Sequence, residues 1–180
     1  MYENPQATET ARSITLRLFT KTDLPFVREL YASTRSDEMA MVPWTDEQRN
    51  AFVQMQFQSQ VDHYRQHFPL ATQHIILEDK RAVGRLYIER LEKEINIIDV
   101  TIAPQERNSG IGTFLLRDLI EEADRTKKIL GIYVENFNPS LNFFKRLGFV
   151  ATEEEGIHVH LQWFPEGVEG TPLSESGDGL

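Results

Sequence analysis

The sequence predicts a mixed α/β fold, an α+β arrangement in which helices flank one sheet, and three observations lead to this prediction. Segments that alternate apolar and polar residues, typical of strands, are interspersed with segments that carry apolar residues at helical spacing. The 180 residues suit a single domain of about 100–200 residues. With 40% hydrophobic and 26% charged residues, the chain can bury a core. The predicted order is strand, two helices, three strands, helix, strand, helix and two strands.

The first half of the chain predicts one strand and two helices. Residues 14–19 alternate apolar and polar side chains over most of their length, as a half-buried strand does. Thr22 or Asp23 can cap the first helix, with Pro25 in its first turn. Thr45 can cap the second helix. The apolar residues of that helix recur every three or four positions and are Val53, Phe57, Val61, Tyr64 and Phe68.

The second half predicts most of the sheet and two more helices. Short charged turns separate its first three strand-like runs, which suits an antiparallel meander. Asn138 followed by proline marks the start of the last helix, and Gly148 marks its end because glycine adopts the left-handed conformation. The predicted elements are strands over 73–78, 82–90 and 94–103, a helix over 110–128, a strand over 129–134, the last helix, and strands over 149–154 and 157–163.

The two ends of the chain carry no periodic pattern. Residues 1–12 predict a flexible N-terminus, and residues 165–180, which contain acidic but no basic residues, predict a disordered acidic tail. We therefore expect one domain over residues 13–164. No apolar run approaches the roughly 20 residues that span a bilayer, and the first residues lack the pattern of a secretory signal. We expect a cytoplasmic protein without a membrane partner.

Composition excludes several classes of function. The 28 acidic and 19 basic residues give a formal net charge of −9, which argues against the phosphate-binding surface of a nucleic-acid-binding protein. The chain has no cysteine, so disulfides, thiolate zinc sites and cysteine nucleophiles are excluded. His63 and His67 have a zinc-compatible spacing but no evident third ligand. For His158 and His160, solvent or sheet packing is the favoured interpretation, and no metal is predicted.

The most informative segment is residues 99–116, in which a buried strand runs into a glycine-containing turn that opens an amphipathic helix. Free backbone N–H groups and the positive end of the helix dipole meet there, which is typical of an anion-binding site. Gly110 and Gly112 let a phosphate approach the backbone closely. The segment lacks the three glycines of the dinucleotide fingerprint and the Gly-Lys-Ser/Thr ending of a P-loop.

Two blocks of this sequence resemble the GNAT superfamily of N-acetyltransferases. Residues 107–112, Arg-Asn-Ser-Gly-Ile-Gly, match the acyl-CoA signature Gln/Arg-x-x-Gly-x-Gly/Ala, and residues 100–104 look like the fourth strand that precedes it. Residues 138–149, from Asn-Pro to Gly-Phe, are similar to the downstream block of that family. The blocks have the expected order and separation, and the order of elements from 14 to 164 agrees with the family.

The resemblance implies a mostly antiparallel seven-stranded mixed sheet whose fourth and fifth strands splay apart to hold acetyl-CoA. Its pantetheine arm would pair with the backbone near Val100 and Ile102. Asn138 would reach the pantetheine from the other wall, and the ring of Phe144 would pack on it. The pyrophosphate would bind the amides of the motif turn, formed by Arg107, Asn108, Ser109, Gly110, Ile111, Gly112 and Thr113.

The reaction that the resemblance implies is direct attack by a primary amine on the thioester, with one base and one acid. Candidate bases are Glu89, Glu94 and Asp99. The two glutamates can equally be solvated hairpin residues, and Asp99 can equally hold a structural partner such as Arg85. The family often places a tyrosine acid where this chain has Phe144. The thiolate can then leave without full protonation, or water or Tyr133 can replace that acid.

Two functions remain open at this stage. The first is an acetyl-CoA-dependent N-acetyltransferase without a metal, whose acceptor is a small amine or amino acid, or else a protein amine. The second is a CoA-binding domain with lost or reduced catalysis that acts through a protein partner, which the missing tyrosine and the acidic tail suggest. The first two helices would border the acceptor site through Trp44, Met55 or Phe57. The sequence does not decide between a monomer and a homodimer.

Overall fold

The computed structural model describes residues 13–170 and 172–173 of the chain. Seven strands form one sheet in the order β1-β2-β3-β4-β5-β7-β6, antiparallel except for the parallel pair β4–β5. The strands are β1 Ile14–Leu18, β2 Thr72–Glu78, β3 Arg81–Arg90, β4 Glu94–Ile102, β5 Ile129–Glu135, β6 Val150–Glu155 and β7 His158–Trp163. The helices are α1 Leu24–Thr34, α2 Ser36–Ala40, α3 Asp46–His67, α4 Ile111–Thr126 and α5 Leu141–Arg146. The predicted α/β class is confirmed.

The strands and long helices occur where the residue patterns predict them, and the differences are local. Helix α2 was not predicted because its five residues bury no side chain and so carry no apolar stripe. Helix α5 begins at Leu141 rather than at Asn138, because Oδ1 of Asn138 accepts a hydrogen bond from the amide of Ser140 and forms a turn before the helix. Thr45 caps α3, since its side chain accepts a hydrogen bond from the amide of Gln48.

Asp23 precedes α1 but does not cap it through its side chain. The Asp23 carboxylate accepts two hydrogen bonds from the guanidinium of Arg17, at 2.6 and 2.7 Å, and one from the amide of Thr20 at 2.8 Å. Arg17 lies on β1, so this ion pair ties the first strand to the start of α1. The hydrogen bonds from Arg17 and Thr20 hold the pKa of Asp23 well below its usual value, although burial opposes them.

Strands β4 and β5 pair only over their first halves. The pairs run from Glu94 with Ile129 to Ile97 with Ile132, after which β4 continues to Ile102 without a partner on that side. A bulge at residue 98 shifts the register of β4 against β3 at the same level. The two central strands therefore separate into a gap, as predicted.

Each face of the sheet has its own helices and its own core. Helices α4 and α5 cover one face, where 18 buried residues form the main apolar core, including Leu86, Ile95 and Leu116. Helices α1 and α3 cover part of the other face with a smaller cluster of Val27, Tyr31, Phe57 and Ile75. Except at the bulges, side chains alternate between the faces along each strand, so the sequence of β3 and β4 supplies both.

The predicted terminal segments lie partly outside the described residues. Residues 1–12 fall outside them, as do 171 and 174–180 of the predicted tail. Within the described part, contacts continue past residue 164: Pro165 is buried, and the amide of Leu173 donates to the carbonyl of Ala151 at 2.8 Å. The domain boundaries 13–164 stay a prediction. Among the described helices, none has the length and apolarity that a membrane span requires.

Candidate functional site

The turn between β4 and α4 exposes the amides of the first helical residues. Gly110 adopts a left-handed conformation with φ of +91°, and Asn108 has φ of +60°. The helix makes its first backbone hydrogen bond from Phe114 to the carbonyl of Gly110, so the amides of Ile111, Gly112 and Thr113 have no acceptor within the helix. These amides and the positive helix end form the anion-binding turn that the sequence predicts.

The two glycines of the turn differ in whether the backbone conformation requires glycine. A Cβ on Gly110 would meet no heavy atom within 4 Å, so the positive φ is what favours glycine there. At Gly112 a Cβ would lie 3.4 Å from Cδ1 of Ile102 and 3.5 Å from Cζ of Phe143. These are ordinary van der Waals contacts, so the packing does not require glycine at 112, while Gly110 leaves the outer side of the turn open.

Two polar side chains of the turn bond to the backbone nearby. Nε of Arg107 donates to the carbonyl of Ile102 at 3.1 Å, and Oγ of Ser109 donates to the carbonyl of Glu106 at 2.5 Å. Arg107 is exposed, and its guanidinium folds back over the end of β4. Its side chain thus lies between the gap and the turn.

The second half of β4 directs backbone groups that have no β5 partner into the gap. The amide of Ala103 donates to the carbonyl of Val83 on β3. Because the main-chain groups of a strand alternate in direction, those of Val100 and Ile102 point away from β3, towards the gap where β5 no longer pairs. An extended ligand can therefore form strand-like hydrogen bonds with them.

The two residues of the downstream block that were predicted to contact the cofactor, Asn138 and Phe144, lie in different surroundings. Asn138 is half-buried next to α5, and its side-chain oxygen is used by the amide of Ser140. Phe144 is only 3% exposed and lies in the apolar core, with its ring 5.4 Å from that of Phe149. The half-buried Phe143 is the ring that lies against Gly112.

Asp99 belongs to a partly buried network on the α3 side of the sheet. Its Oδ2 forms an ion pair with the guanidinium of Arg85, and its Oδ1 accepts a hydrogen bond from the hydroxyl of Thr101 at 3.0 Å. Arg85 is 4% exposed and also donates to Oε1 of Gln60 on α3 at 2.6 Å. Burial, followed by the charge of Asp99, raises the pKa of Tyr64, which packs on this network from α3. The structural partnership of Asp99 with Arg85 is confirmed.

The two predicted glutamates differ in their surroundings. Glu89 is 7% exposed and opposes Asn96 on β4, so its interpretation as a solvated hairpin residue is wrong. Alternation along β3 turns it to the polar side of the sheet, where it makes no hydrogen bond or ion pair with another described residue. Glu94 is half-buried and accepts a hydrogen bond from Nδ2 of Asn96 at 3.2 Å.

A row of polar and aromatic side chains crosses the gap at the first level where β4 and β5 no longer pair. We call it the gap row; it consists of Tyr87, Asp99, Tyr133, His160 and Glu153. The rings of Tyr133 and His160 stack with centroids 4.2 Å apart and an interplanar angle of 4°. The hydroxyl of Tyr133, a residue 50% exposed, lies 3.4 Å from Oε2 of Glu153.

His160 and Glu153 are the residues of this row whose place the sequence did not indicate. The alternation of β7 puts His158, His160 and Gln162 on one face, because Val159 and Leu161 lie in the main core. That signal places His160 on a face but cannot place it next to Tyr133, since strand order is not a local property. Burial lowers the pKa of His160, against the opposing effect of Glu153 and Glu94.

The other candidates that the sequence raised lie away from the gap row or in the apolar clusters. The rings of His63 and His67 stack at 4.1 Å, and Nδ1 of His67 lies 3.0 Å from the carbonyl of His63. Phe57 is buried against Tyr31, while Trp44 packs on Phe52 and Met55 is exposed. Among the described residues, no group of three or more potential ligands is arranged to hold a metal ion.

Comparison with known proteins identifies one family. The model of the Acetyltransferase (GNAT) family matches residues 26–149, which is more than half of the chain. The match includes both the motif turn and the downstream block. No curated protein matches the sequence.

Solved structures share the fold over most of the chain. PaiA N-acetyltransferase from Thermoplasma acidophilum, in complex with coenzyme A, has a TM-score of 0.63 at 14% identity and covers 84% of this chain and 99% of its own. An acetyltransferase from Thermus thermophilus has a TM-score of 0.59 at 16% identity and covers 84% of this chain and 97% of its own. A GNAT family acetyltransferase from Elizabethkingia anophelis with acetyl-CoA bound has a TM-score of 0.55 at 18% identity and covers 84% of this chain and 97% of its own. Identities this low show a shared fold.

Proposed function

Because the chain belongs to the GNAT acetyltransferase family, we propose that this acetyltransferase transfers the acetyl group of acetyl-CoA to a primary amine by direct attack of the amine on the thioester. The observation that carries the proposal is the gap between β4 and β5, which opens beside the free amides of α4. Structural neighbours with coenzyme A or acetyl-CoA bound support the choice of co-substrate.

The proposed cofactor site uses backbone groups more than side chains. The amides at the start of α4, reached over Gly110, would hold the pyrophosphate, and Asn108, Ser109, Ile111, Gly112 and Thr113 complete the turn. Val100 and Ile102 would pair with the pantetheine arm. Arg107 now occupies the carbonyl of Ile102, so its side chain would move towards the phosphates when the arm pairs there. Asn138 would contact the arm through its free Nδ2 group.

The residues of the gap row would carry the proton transfers. A β4 amide that faces the gap would stabilise negative charge on the thioester oxygen. Tyr133 is the candidate for the acid that Phe144 cannot supply, because burial and the neighbouring Glu153 raise its pKa and keep the phenol protonated. Asp99 and Glu89 are the carboxylate candidates for the base, and of the two only Glu89 has a carboxylate without a bonded partner among the described residues.

We propose a small cationic amine or amino acid as acceptor, and a protein amine as the second choice. The side of the gap away from α4 carries the acidic residues Glu89, Glu94, Asp99 and Glu153, of which Asp99 forms an ion pair with Arg85. Negative potential there would raise the local concentration of a positively charged amine. This charge distribution supports a cationic acceptor but does not select one compound.

The experiment for this function measures thiol release from acetyl-CoA over a panel of acceptors. The panel contains a diamine, free amino acids and lysine-containing peptides, and thermal stabilisation by acetyl-CoA is measured in parallel. We expect stabilisation by acetyl-CoA and turnover with at least one amine. Stabilisation without turnover for any acceptor would favour the CoA-binding domain with lost catalysis, and the absence of both would contradict the proposed site.

A further inference from the structure

The proton acceptor for the incoming amine needs a free basic atom near the gap. Both oxygens of Asp99 already accept hydrogen bonds, from Arg85 and Thr101. Glu89 lies on β3 behind Asn96, the β4 residue that opposes it, so Asn96 separates it from the gap. Each carboxylate thus lacks either a free oxygen or a position beside the opening.

His160 combines ring nitrogens that make no hydrogen bond among the described residues with a position near the gap. It lies in the gap row, one strand behind Tyr133, and the parallel stack at 4.2 Å fixes the plane of its ring. The ring is half-buried, and neither ring nitrogen makes a hydrogen bond with another described residue. Its nitrogens are therefore free to exchange a proton with a ligand or a water molecule.

Gly131 makes room for this ring. A Cβ on Gly131 would lie 3.0 Å from Nε2 of His160, tighter than nine in ten real contacts of a Cβ atom, and 3.5 Å from Oδ1 of Asn96. The imidazole therefore leans across β5 with Nε2 directed over Gly131 towards β4. A side chain at position 131 would push the ring away from the strands that border the gap.

The charges around His160 suit a base that is neutral at rest and cationic after proton transfer. The titratable groups that act on it are Tyr133 on β5, Glu153 on β6 and Glu94 on β4. Burial lowers its pKa, which keeps the imidazole neutral near pH 7, while the two carboxylates stabilise the imidazolium once it forms.

We propose that His160 is the catalytic base that accepts the proton of the acceptor ammonium, an assignment that rests on the proposed acetyl transfer. The N–H bond of the ammonium breaks, and the proton passes to a ring nitrogen of His160, directly or through one water molecule. The lone pair of the amine forms the C–N bond, and the C–S bond breaks with its electron pair moving to sulfur. A second proton from the nitrogen ends on the sulfur, and His160 releases its proton to solvent.

The test compares His160→Gln with the matched control His158→Gln, which lies two residues away on the same face of β7 but is exposed. Thiol release is measured from about pH 5 to about pH 9 with saturating acetyl-CoA and the best amine of the panel. The titration of His160 is followed independently by NMR. We expect the acidic limb of kcat/KM in the unaltered protein to follow the NMR titration of His160, below the usual pKa of histidine.

His160→Gln should remove this limb and lower kcat/KM by about 100-fold, while His158→Gln should leave both unchanged. Gly131→Ala should lower the rate about tenfold with acetyl-CoA stabilisation intact, because it displaces the ring. If His160→Gln still turns over and keeps the acidic limb of kcat/KM, the assignment of His160 as the base is overturned, while the proposed acetyl transfer stands. No turnover in the unaltered protein with any amine would instead overturn the proposed acetyl transfer, and the role of His160 with it.

Discussion

The two faces of the central sheet differ in what they bury. Towards α4 and α5, strands β3 and β4 present Leu86, Ile88 and Ile95, all fully buried in one apolar core. Towards α1 and α3, the alternate residues of the same strands include Arg85 and Glu89, which are nearly as inaccessible but charged. Adjacent residues of one strand thus differ, since one contributes to the apolar core and the next is a buried charged residue.

One face of the sheet therefore supplies most of the apolar burial, and the other face can hold polar groups. Apolar burial on the α4 side stabilises the sheet, whereas a buried charge costs free energy unless it is paired. Only a sheet that is stable through one face can keep a polar row on the other. Substitutions on the two faces should therefore differ in their effects on stability and on ligand binding.

Leu116→Ala should give the largest loss of stability because it removes a side chain that is 1% exposed in the main core. We expect the free energy of unfolding to fall by about 3–4 kcal/mol, measured by urea denaturation. Leu18→Ala, at a residue 61% exposed, is the matched control and should change it by less than about 0.5 kcal/mol. Equal effects of the two substitutions would contradict the division between the faces.

Asp99→Asn should destabilise the polar face by about 3 kcal/mol, because it leaves the Arg85 guanidinium buried without its partner. The paired replacement Arg85→Met with Asp99→Leu should recover most of that loss. Urea denaturation of the three proteins measures both effects. The rate of Asp99→Asn should fall by the same factor at every pH, as this structural role requires. Loss of the acidic limb, with the largest fall above it, would instead return Asp99 to the role of base.

Gly110→Glu should abolish the stabilisation by acetyl-CoA without altering either core, since it places negative charge on the open side of the anion-binding turn. At a ligand concentration about 100 times Kd, this loss corresponds to about 2.7 kcal/mol in a thermal shift assay. Gly110→Asn is the control, because asparagine tolerates the left-handed conformation and adds no charge. A thermal shift that survives in Gly110→Glu would place the phosphates elsewhere.

Asp23→Asn should have the smallest effect, about 1 kcal/mol at neutral pH, because Arg17 is half-exposed and solvent screens part of the attraction. The pKa of Asp23 is lowered by the hydrogen bonds from Arg17 and Thr20, so its stabilisation is present above its unfolded pKa of about 3.9. It is lost as the pH falls towards the lower pKa of the folded state. The difference between the two proteins in urea denaturation should therefore be constant above about pH 5 and shrink below about pH 4.

The sequence predicted the long elements well because their signals are local. The predicted helix over 110–128 is α4, and the glycine turn opens it where the motif lies. The prediction was wrong about the start of α5, because the side chain of Asn138 forms a turn before the helix instead of opening it. It also failed at Glu89, because hairpin position does not reveal which side of the sheet is covered.

By itself, then, the sequence determined the α/β class, the anion-binding turn and the family that both imply, since periodicity and motif spacing act over a few residues. Tertiary structure decided which of those residues meet. Tyr133 and His160 are 27 positions apart and stack only because β5 and β7 are neighbours, and the β4 bulge sets the level at which Asp99 faces the gap. Strand order and register are properties of the whole sheet, and the gap row exists only once that sheet has formed.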